Sequence, residues 1–272
     1  HLHEWLGMIT KNADGILCVS RSVQSEVEGW IADNGINNPE LKIDYFHHGA
    51  DFSNTEDEKT SVAVSEKNMP EGECEAKEGN DIPDRILKHD CVTYIMVSTI
   101  EPRKGYNDAI EAFLSAAEQR DDISLVIVGR RGWKYEDTEQ VIKGSGRYGH
   151  SLFWMDDCDD ELLAKLYGLS DYYISSSYYE GFGLGIIEAA HRGLPLILRD
   201  IPVHREVSAG AALYFKDKEE LADIMLKLRA AGAQNQDLTV PDPKEVPCLT
   251  WRESVQMAWN GCKGIKDNYN RR

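Results

Sequence analysis

"DYYISSSYYEGFGLGIIEAAHRGLPLILR", residues 171–199, reads as strand, glycine-rich turn, helix and second strand. "DYYISSS" and "LPLILR" are apolar runs of strand length, while "GIIEAAHRG" between them has helical character. A strand, a crossover helix and a second strand is the unit from which parallel sheets are built.

The same rhythm extends in both directions. Upstream, "CVTYIMVS" and "ISLVIVG" are continuous apolar, β-branched runs, as parallel strands covered on both faces should be, and "YNDAIEAFLSAAEQR" between them has helical spacing. Further strands are expected at "SLFWM" and "AALYF", with helices at "DDELLAKLYGLS" and around "PVHREVSAG". The repetition predicts an α/β fold, a Rossmann-like doubly wound parallel sheet with ligands at the carboxyl ends of its strands. Residues 1–50 show helix, strand, helix, strand in "EWLGMITKNA", "GILCVS", "SVQSEVEGWIADNG" and "KIDYFH". Residues 51–90 are acidic, poor in aromatics and without a sustained period, which reads as a linker or insertion. The last segment, "TWRESVQMAWNGCKGIKDNYN", opens on a capping box, Thr250 and Glu253, and continues as an amphipathic helix assigned to the 91–272 unit.

Composition narrows the partners. A formal charge of −17 over 272 residues argues against nucleic acid, whose affinity depends on Lys and Arg neutralising phosphates. Any phosphate site must be built from local cations and backbone amides strong enough to overcome that field. No apolar run approaches the roughly 18 residues of a membrane span. The six cysteines, Cys18, Cys74, Cys91, Cys158, Cys248 and Cys262, form no C-x-x-C pair, which suggests neither a zinc site nor a redox motif and points to a reducing compartment. The opening "HLHEWLG" has no initiator Met and no signal pattern, so the chain reads as a piece of something longer.

Gly181, Gly183 and Gly185 occupy the strand-to-helix turn, where a ligand can reach backbone N–H groups at a helix N-terminus. Glycines there also serve a turn that simply needs positive φ. Glu180 and Glu188 bracket the loop. A carboxylate is a poor phosphate partner but a good acceptor for paired hydroxyls, and it suits the positive charge that develops at an anomeric carbon. Glu188, placed in the first turn of the helix, points toward a ribose, and Glu180 toward a second sugar. The alternative for each is a solvated charge at a helix N-terminus. In "VSTIEPRKGYNDAI", Arg103 and Lys104 are adjacent cations at the top of a strand, able to neutralise a diphosphate or, alternatively, to be plain surface charge.

The set "EGFGLGIIE", "EPRKG" and "LVIVG" resembles the retaining glycosyltransferases of family 4, which have the two-domain GT-B fold. "ADGILCVSRSVQSEV" and "YFHHGADF" are similar to the end of that family's first domain and its crossover, and everything from about Cys91 to its second domain. The resemblance implies a nucleotide-sugar donor site with Arg103 and Lys104 on the diphosphate and Glu188 on the ribose. It puts Glu180 on the hexose as the catalytic carboxylate. Backbone around Gly181, Phe182, Gly183, Leu184, Gly185 and Ile186 completes the phosphate cradle, with Arg130 and Trp154 to Asp156, Met155 among them, as candidates beside the base. It implies transfer with retention, without metal or other cofactor. The partners it implies are a glycan or lipid-linked glycan acceptor and a fuller N-terminal domain, of which residues 1–50 are a remnant. The expected location is the cytoplasm, free or at the inner face of the membrane. "RDIPVHREV" with "TIEPRKG" is similar to members that add mannose to bacterial surface polysaccharides, so GDP-mannose is the first donor and a UDP-sugar the next. Two departures stand out: Ser98 lies where many members carry Arg, a place Arg103 can take, and nearly all of the family's first domain, which supplies the acceptor site and often a histidine near the donor sugar, is absent from this sequence; His47 and His48 in the crossover read as structural.

Two other function classes stay open: an epimerase or hydrolase acting on a UDP-sugar, and a nucleotide-sugar-binding module without catalysis. "DDCDDE", residues 156–161, invites a divalent-metal reading, but acidic residues ahead of "LLAKLYGLS" also suit a helix N-terminus.

Overall fold

The computed structural model describes residues 2–50, 82–87, 91–229 and 238–269. Most of the acidic 51–90 segment, including Cys74, lies outside them. The chain opens with α1 (Leu2–Asn12), β1 (Gly15–Cys18), α2 (Arg21–Asp33) and β2 (Lys42–Tyr45), and β1 and β2 pair in parallel. Ser20 caps α2 by accepting the Val23 N–H at 3.2 Å. A single turn, α3 (Asp84–Leu87), precedes the main sheet.

That sheet has six parallel strands: β3 (Val92–Val97), β4 (Ile123–Val128), β5 (Leu152–Met155), β6 (Tyr172–Ser175), β7 (Leu196–Arg199) and β8 (Leu213–Phe215). Their order, β5-β4-β3-β6-β7-β8, is that of a doubly wound fold, with the reversal between β3 and β6. Side chains along a strand alternate between faces. Val92, Tyr94, Met96, Leu125, Ile127 and Ile197 therefore enter one core, and Ile95, Val126, Val128, Tyr173, Leu196 and Leu198 the other. Two buried faces explain why these strands are apolar at most positions, with Thr93, Ser124, Ser175 and Arg199 buried among them.

The connecting helices are α4 (Tyr106–Gln119), α5 (Glu136–Gly144), α6 (Asp160–Gly168), α7 (Leu184–His191), α8 (Pro202–Ser208) and α9 (Lys218–Lys227). α4 buries Ala109, Ile110, Ala112, Phe113, Ala116 and Ala117 in the first core; α7 buries Ile186, Ile187, Ala189 and Ala190 in the second. α5 and α9 add helices that the pattern reading leaves unassigned. α5 "EDTEQVIKG" buries only Thr138 and Ile142, too few to set a visible period. The acidic run before α6 acts as a helix start: Asp159 accepts the Leu162 N–H at 2.8 Å, and Asp160 and Glu161 occupy the first turn.

The final helix, α10 (Trp251–Tyr269), starts on the expected capping box, with Glu253 N–H to Thr250 Oγ1 at 3.2 Å and Thr250 N–H to Glu253 Oε2 at 2.8 Å. It packs on β1 and β2 rather than on the six-stranded sheet. A Cβ on Gly15 would stand 2.4 Å from Ile265, and one on Gly261 would stand 2.8 Å from Leu17. The chain re-enters this first lobe beside the place it left, where Ala50 N–H donates to Leu249 O at 2.8 Å.

The lobes also meet at Glu206 on α8. Its carboxylate accepts the backbone N–H groups of Arg21 and Ser22, both at 2.8 Å, together with the Ser22 hydroxyl at 2.5 Å and a 2.6 Å bond from His47 Nε2. A negative charge thus sits at the N-terminus of α2, where the helix dipole favours it. Burial alone would raise the Glu206 carboxyl; Ser22, His47 and the two amides hold it below the usual carboxylate range. Among the described residues no helix is long and apolar enough to cross a membrane.

Candidate functional site

At the reversal between β3 and β6, the segments following the two strands lie side by side. Tyr178 N–H donates to Arg103 O at 2.8 Å and the Ser176 hydroxyl to Lys104 O at 2.8 Å. Gly105 makes this possible: at φ +63°, any Cβ there would fall 2.2 Å from Ser176 O. Arg199, buried at the end of β7, supports the pair from below. It donates from Nε to Ser176 O at 2.7 Å and from a terminal nitrogen to Asp108 at 2.6 Å, and its guanidinium lies 4.3 Å from the Tyr178 ring centre.

These segments enclose a cavity of about 320 Å³. Lys104 and Glu180 face it, with Ser98, Ser175, Ser176 and Ser177 below and residues Gly181 to Ile186 along one wall. The first lobe closes the other side with Val19 and His48. The wall is the start of α7, whose first amides have no intrahelical acceptor. Gly183 caps that helix at φ +93°, and a Cβ on Gly185 would stand 2.6 Å from the Tyr173 hydroxyl.

The charges are arranged around Glu180. Lys104 Nζ lies 2.5 Å from its Oε1, the Ser177 hydroxyl donates to the same oxygen at 2.8 Å, and Arg103 reaches Oε2 at 3.1 Å. Arg103 also donates to Glu101 at 2.9 Å and to Tyr179 O at 3.3 Å from a more exposed position. Burial would raise the Glu180 carboxyl, but Lys104, Ser177 and Arg103 outweigh it and hold it below the usual range. The site therefore presents an ionised carboxylate beside a half-buried ammonium and a helix N-terminus. Such a set can take an anion on the cation and amides, and hydroxyls on the carboxylate.

Of the residues singled out from the sequence, Lys104, Glu180 and the whole run Gly181, Phe182, Gly183, Leu184, Gly185 and Ile186 line the cavity, and Arg103 borders it through Glu180. Glu188 falls in the second turn of α7, not the first, because the helix begins at Leu184. It is half-buried outside the cavity lining, 3.6 Å from Arg192 and beside Tyr167, and its burial raises the carboxyl above the usual range. Arg130 is exposed at the end of β4, and its carbonyl accepts the Ile100 N–H at 2.9 Å. Met155 is buried at the end of β5, and its carbonyl accepts the Gly129 N–H at 2.9 Å. Neither lines the cavity. Asp156 pairs with Arg131, whose guanidinium lies 4.7 Å from the Trp154 ring centre.

Sequence reasoning missed Arg199, His204 and the three serines. His204, buried on α8, has Nδ1 2.8 Å from Arg199 O and Nε2 3.3 Å from the Ser175 hydroxyl. The first contact requires the proton on Nδ1, which leaves Nε2 to accept from Ser175. Burial pushes His204 down to about 4, so it is neutral at pH 7. "RDIPVHREV" contains these residues, but nothing in its local pattern signals that they lie beneath Ser175 and Ser176. His47 is engaged by Glu206, and His48 lies on the cavity wall.

Comparison with known proteins agrees with this architecture. The family described as Glycosyl transferases group 1 matches residues 80–238. The serotype-specific mannosyltransferase WbdA of Escherichia coli is 34% identical over 257 residues, covering 93% of this chain and 29% of that protein. O-antigen chain mannosyltransferase B of Escherichia coli is 32% identical over 120 residues, covering 44% of this chain and 31% of its own. The chain thus spans under a third of the length of these relatives. Among solved structures, an α,α-trehalose-phosphate synthase of Burkholderia vietnamiensis superposes with a TM-score of 0.65 at 13% identity, covering 98% of this chain and 60% of that one. The sucrose-phosphate synthase of Thermosynechococcus elongatus gives 0.64 at 19% identity, covering 99% and 62%. The GT-B likeness of the fold and the family match across most of the main sheet together make this chain a member of the group 1 glycosyl transferases.

Proposed function

We propose that the chain carries the donor-binding part of a hexosyltransferase that moves a mannosyl group from GDP-mannose to a glycan acceptor with retention. The observation that carries this reading is the half-buried Lys104–Glu180 pair, set at the sheet's reversal point against the start of α7. Lys104, Arg103 and the α7 amides balance the diphosphate. Glu180, ionised, accepts hydroxyls of the hexose and faces the positive charge that grows at the anomeric carbon as the bond to phosphate breaks. The departing phosphate, held at the same amides, is placed to take the acceptor's proton. Glu188 accepts the ribose hydroxyls. The mannose preference is supported by the names of the relatives, WbdA and O-antigen chain mannosyltransferase B. The acceptor side belongs to the additional length those relatives have, so the 272 residues alone bind donor without transferring sugar.

Calorimetric titration with GDP, UDP, GDP-mannose and a UDP-hexose tests the reading. It expects the guanine pair to bind and Glu188→Ala to weaken GDP more than Glu180→Ala does. Failure of all four ligands to bind, or sugar transfer by the isolated chain, would overturn it.

A further inference from the structure

We propose that Tyr173, in the floor of the cavity, is a ligand-binding residue that gives its hydroxyl proton to a phosphate oxygen at the start of α7; this rests on the donor-binding reading above. Tyr173 is the second residue of β6, paired with Ile95 across the sheet's reversal and with Leu196 of β7 on the other side. Side chains alternate along the strand. Tyr172 therefore enters the first core, stacked on Tyr94, while Tyr173 enters the second with Phe182 of the glycine loop and Ile186 of α7. Its hydroxyl ends beside Gly185, where a Cβ would stand 2.6 Å from the oxygen.

What sets this hydroxyl apart is that the fold does not use it. Tyr94, Tyr106 and Tyr172 donate to the carbonyls of Met225, Ser98 and Arg229 at 3.1, 2.8 and 2.8 Å. The Tyr173 hydroxyl has no hydrogen-bond partner among the described residues, although only 4% of the residue is exposed. Nor is its oxygen sealed off, as the partnerless Ser151 Oγ and Tyr167 hydroxyl are. Tyr173 lines the cavity, so the opening left to the hydroxyl is the cavity itself. Buried polar groups are nearly always satisfied, and this one faces the site where a ligand would satisfy it.

Burial, with Tyr106, Glu180 and Glu188 nearby, holds the phenol above its ordinary value, so it keeps its proton at pH 7 and can donate. A hexose hydroxyl could accept that proton. The position beside the second residue of α7 favours an anion instead, because the positive end of the helix dipole and the first amides converge there and Lys104 lines the same space. An ionised phosphate oxygen also draws a stronger bond from a neutral hydroxyl than a sugar oxygen does. With two carboxylates close by, an anion benefits from every donor the cavity presents.

The test is calorimetric titration of the intact chain and of Tyr173→Phe with GDP and with GDP-mannose, alongside the melting temperatures of both proteins without ligand. Phenylalanine keeps the ring in the second core and removes only the hydroxyl. The expected result is that both ligands bind about tenfold to a hundredfold more weakly, as for one hydrogen bond to a charged group, and by the same factor. The melting temperature should not fall, because the free protein loses no bond. A loss confined to GDP-mannose would assign the hydroxyl to the sugar and overturn the phosphate contact. Unchanged affinity for both ligands overturns the inference outright, as does a lowered melting temperature, which would mean that the hydroxyl already serves the fold. Absence of GDP binding by the unaltered chain would instead refute the donor-site reading itself.

Discussion

Replacing Lys104 with methionine separates the two jobs assigned to its ammonium. In the free protein Lys104 neutralises a carboxylate that is almost enclosed: the two side chains keep 13% and 11% of their exposure. Removing one partner of a fully buried pair costs about 3–5 kcal/mol. Here Glu180 retains the Ser177 hydroxyl and the more exposed Arg103, which lowers the expected cost to about 2 kcal/mol. For a domain of this size that corresponds to a melting temperature lower by roughly 4–8 °C. The second job, proposed above, is holding phosphate, and loss of one charge-assisted bond of about 1.5–3 kcal/mol predicts GDP binding weaker by roughly tenfold to a hundredfold. The double variant Lys104→Met with Glu180→Gln leaves no unpaired charge, so it regains most of the stability and none of the GDP affinity. Urea denaturation of the four proteins measures the coupling, and titration calorimetry measures GDP. A coupling energy below about 0.5 kcal/mol, within ordinary non-additivity, would refute the pairing. A double variant that binds GDP like the unaltered chain would refute the phosphate role.

His204, held near 4 by burial, supplies a pH signature. The unfolded chain takes up its proton below about 6.5 and the folded chain only near 4, so stability falls as pH drops through that window. The loss between pH 7 and 5 is about 2 kcal/mol. His204→Asn keeps a donor for Arg199 O without titrating, so its urea midpoint should lose that much less on acidification; parallel profiles would contradict the assignment. Gly185→Ala should destabilise by about 1–3 kcal/mol because its Cβ meets the Tyr173 hydroxyl, as overpacked cores do. Adding Tyr173→Phe should restore much of this, and an unrescued double variant would place the clash elsewhere. Glu206→Gln should cost about 1–2 kcal/mol by weakening the charged cap on α2. Amide exchange should show α2 opening sooner while the six-stranded sheet stays protected; uniform acceleration would argue against a local cap. Because the Glu206 carboxyl is depressed, its contribution is present above its unfolded value and is lost as pH falls through the folded one.

The strands of the six-stranded sheet were legible as apolar runs, since a strand covered on both faces has little polar face to interrupt it, and β3, β4 and β6 read that way. The glycine loop was legible for a related reason: Gly183 and Gly185 are demanded locally by a positive φ and by the strand beneath. The caps at Asp159 and Thr250 involve groups only three residues apart, so short-range pattern reaches them as well. What stayed hidden depends on neighbours far along the chain. The resemblance put Lys104 and Glu180 at one donor site, but their direct ion pair follows from the strand order that sets β3 beside β6. Glu206 reads as a surface charge until α8 is set against the start of α2. The amphipathic α10 announces that it buries a face, yet its period is the same whichever sheet receives it. Local sequence determines what each segment can form and which face it hides. The partner of that face depends on sheet order and on the double crossing between lobes, which no short-range periodicity encodes.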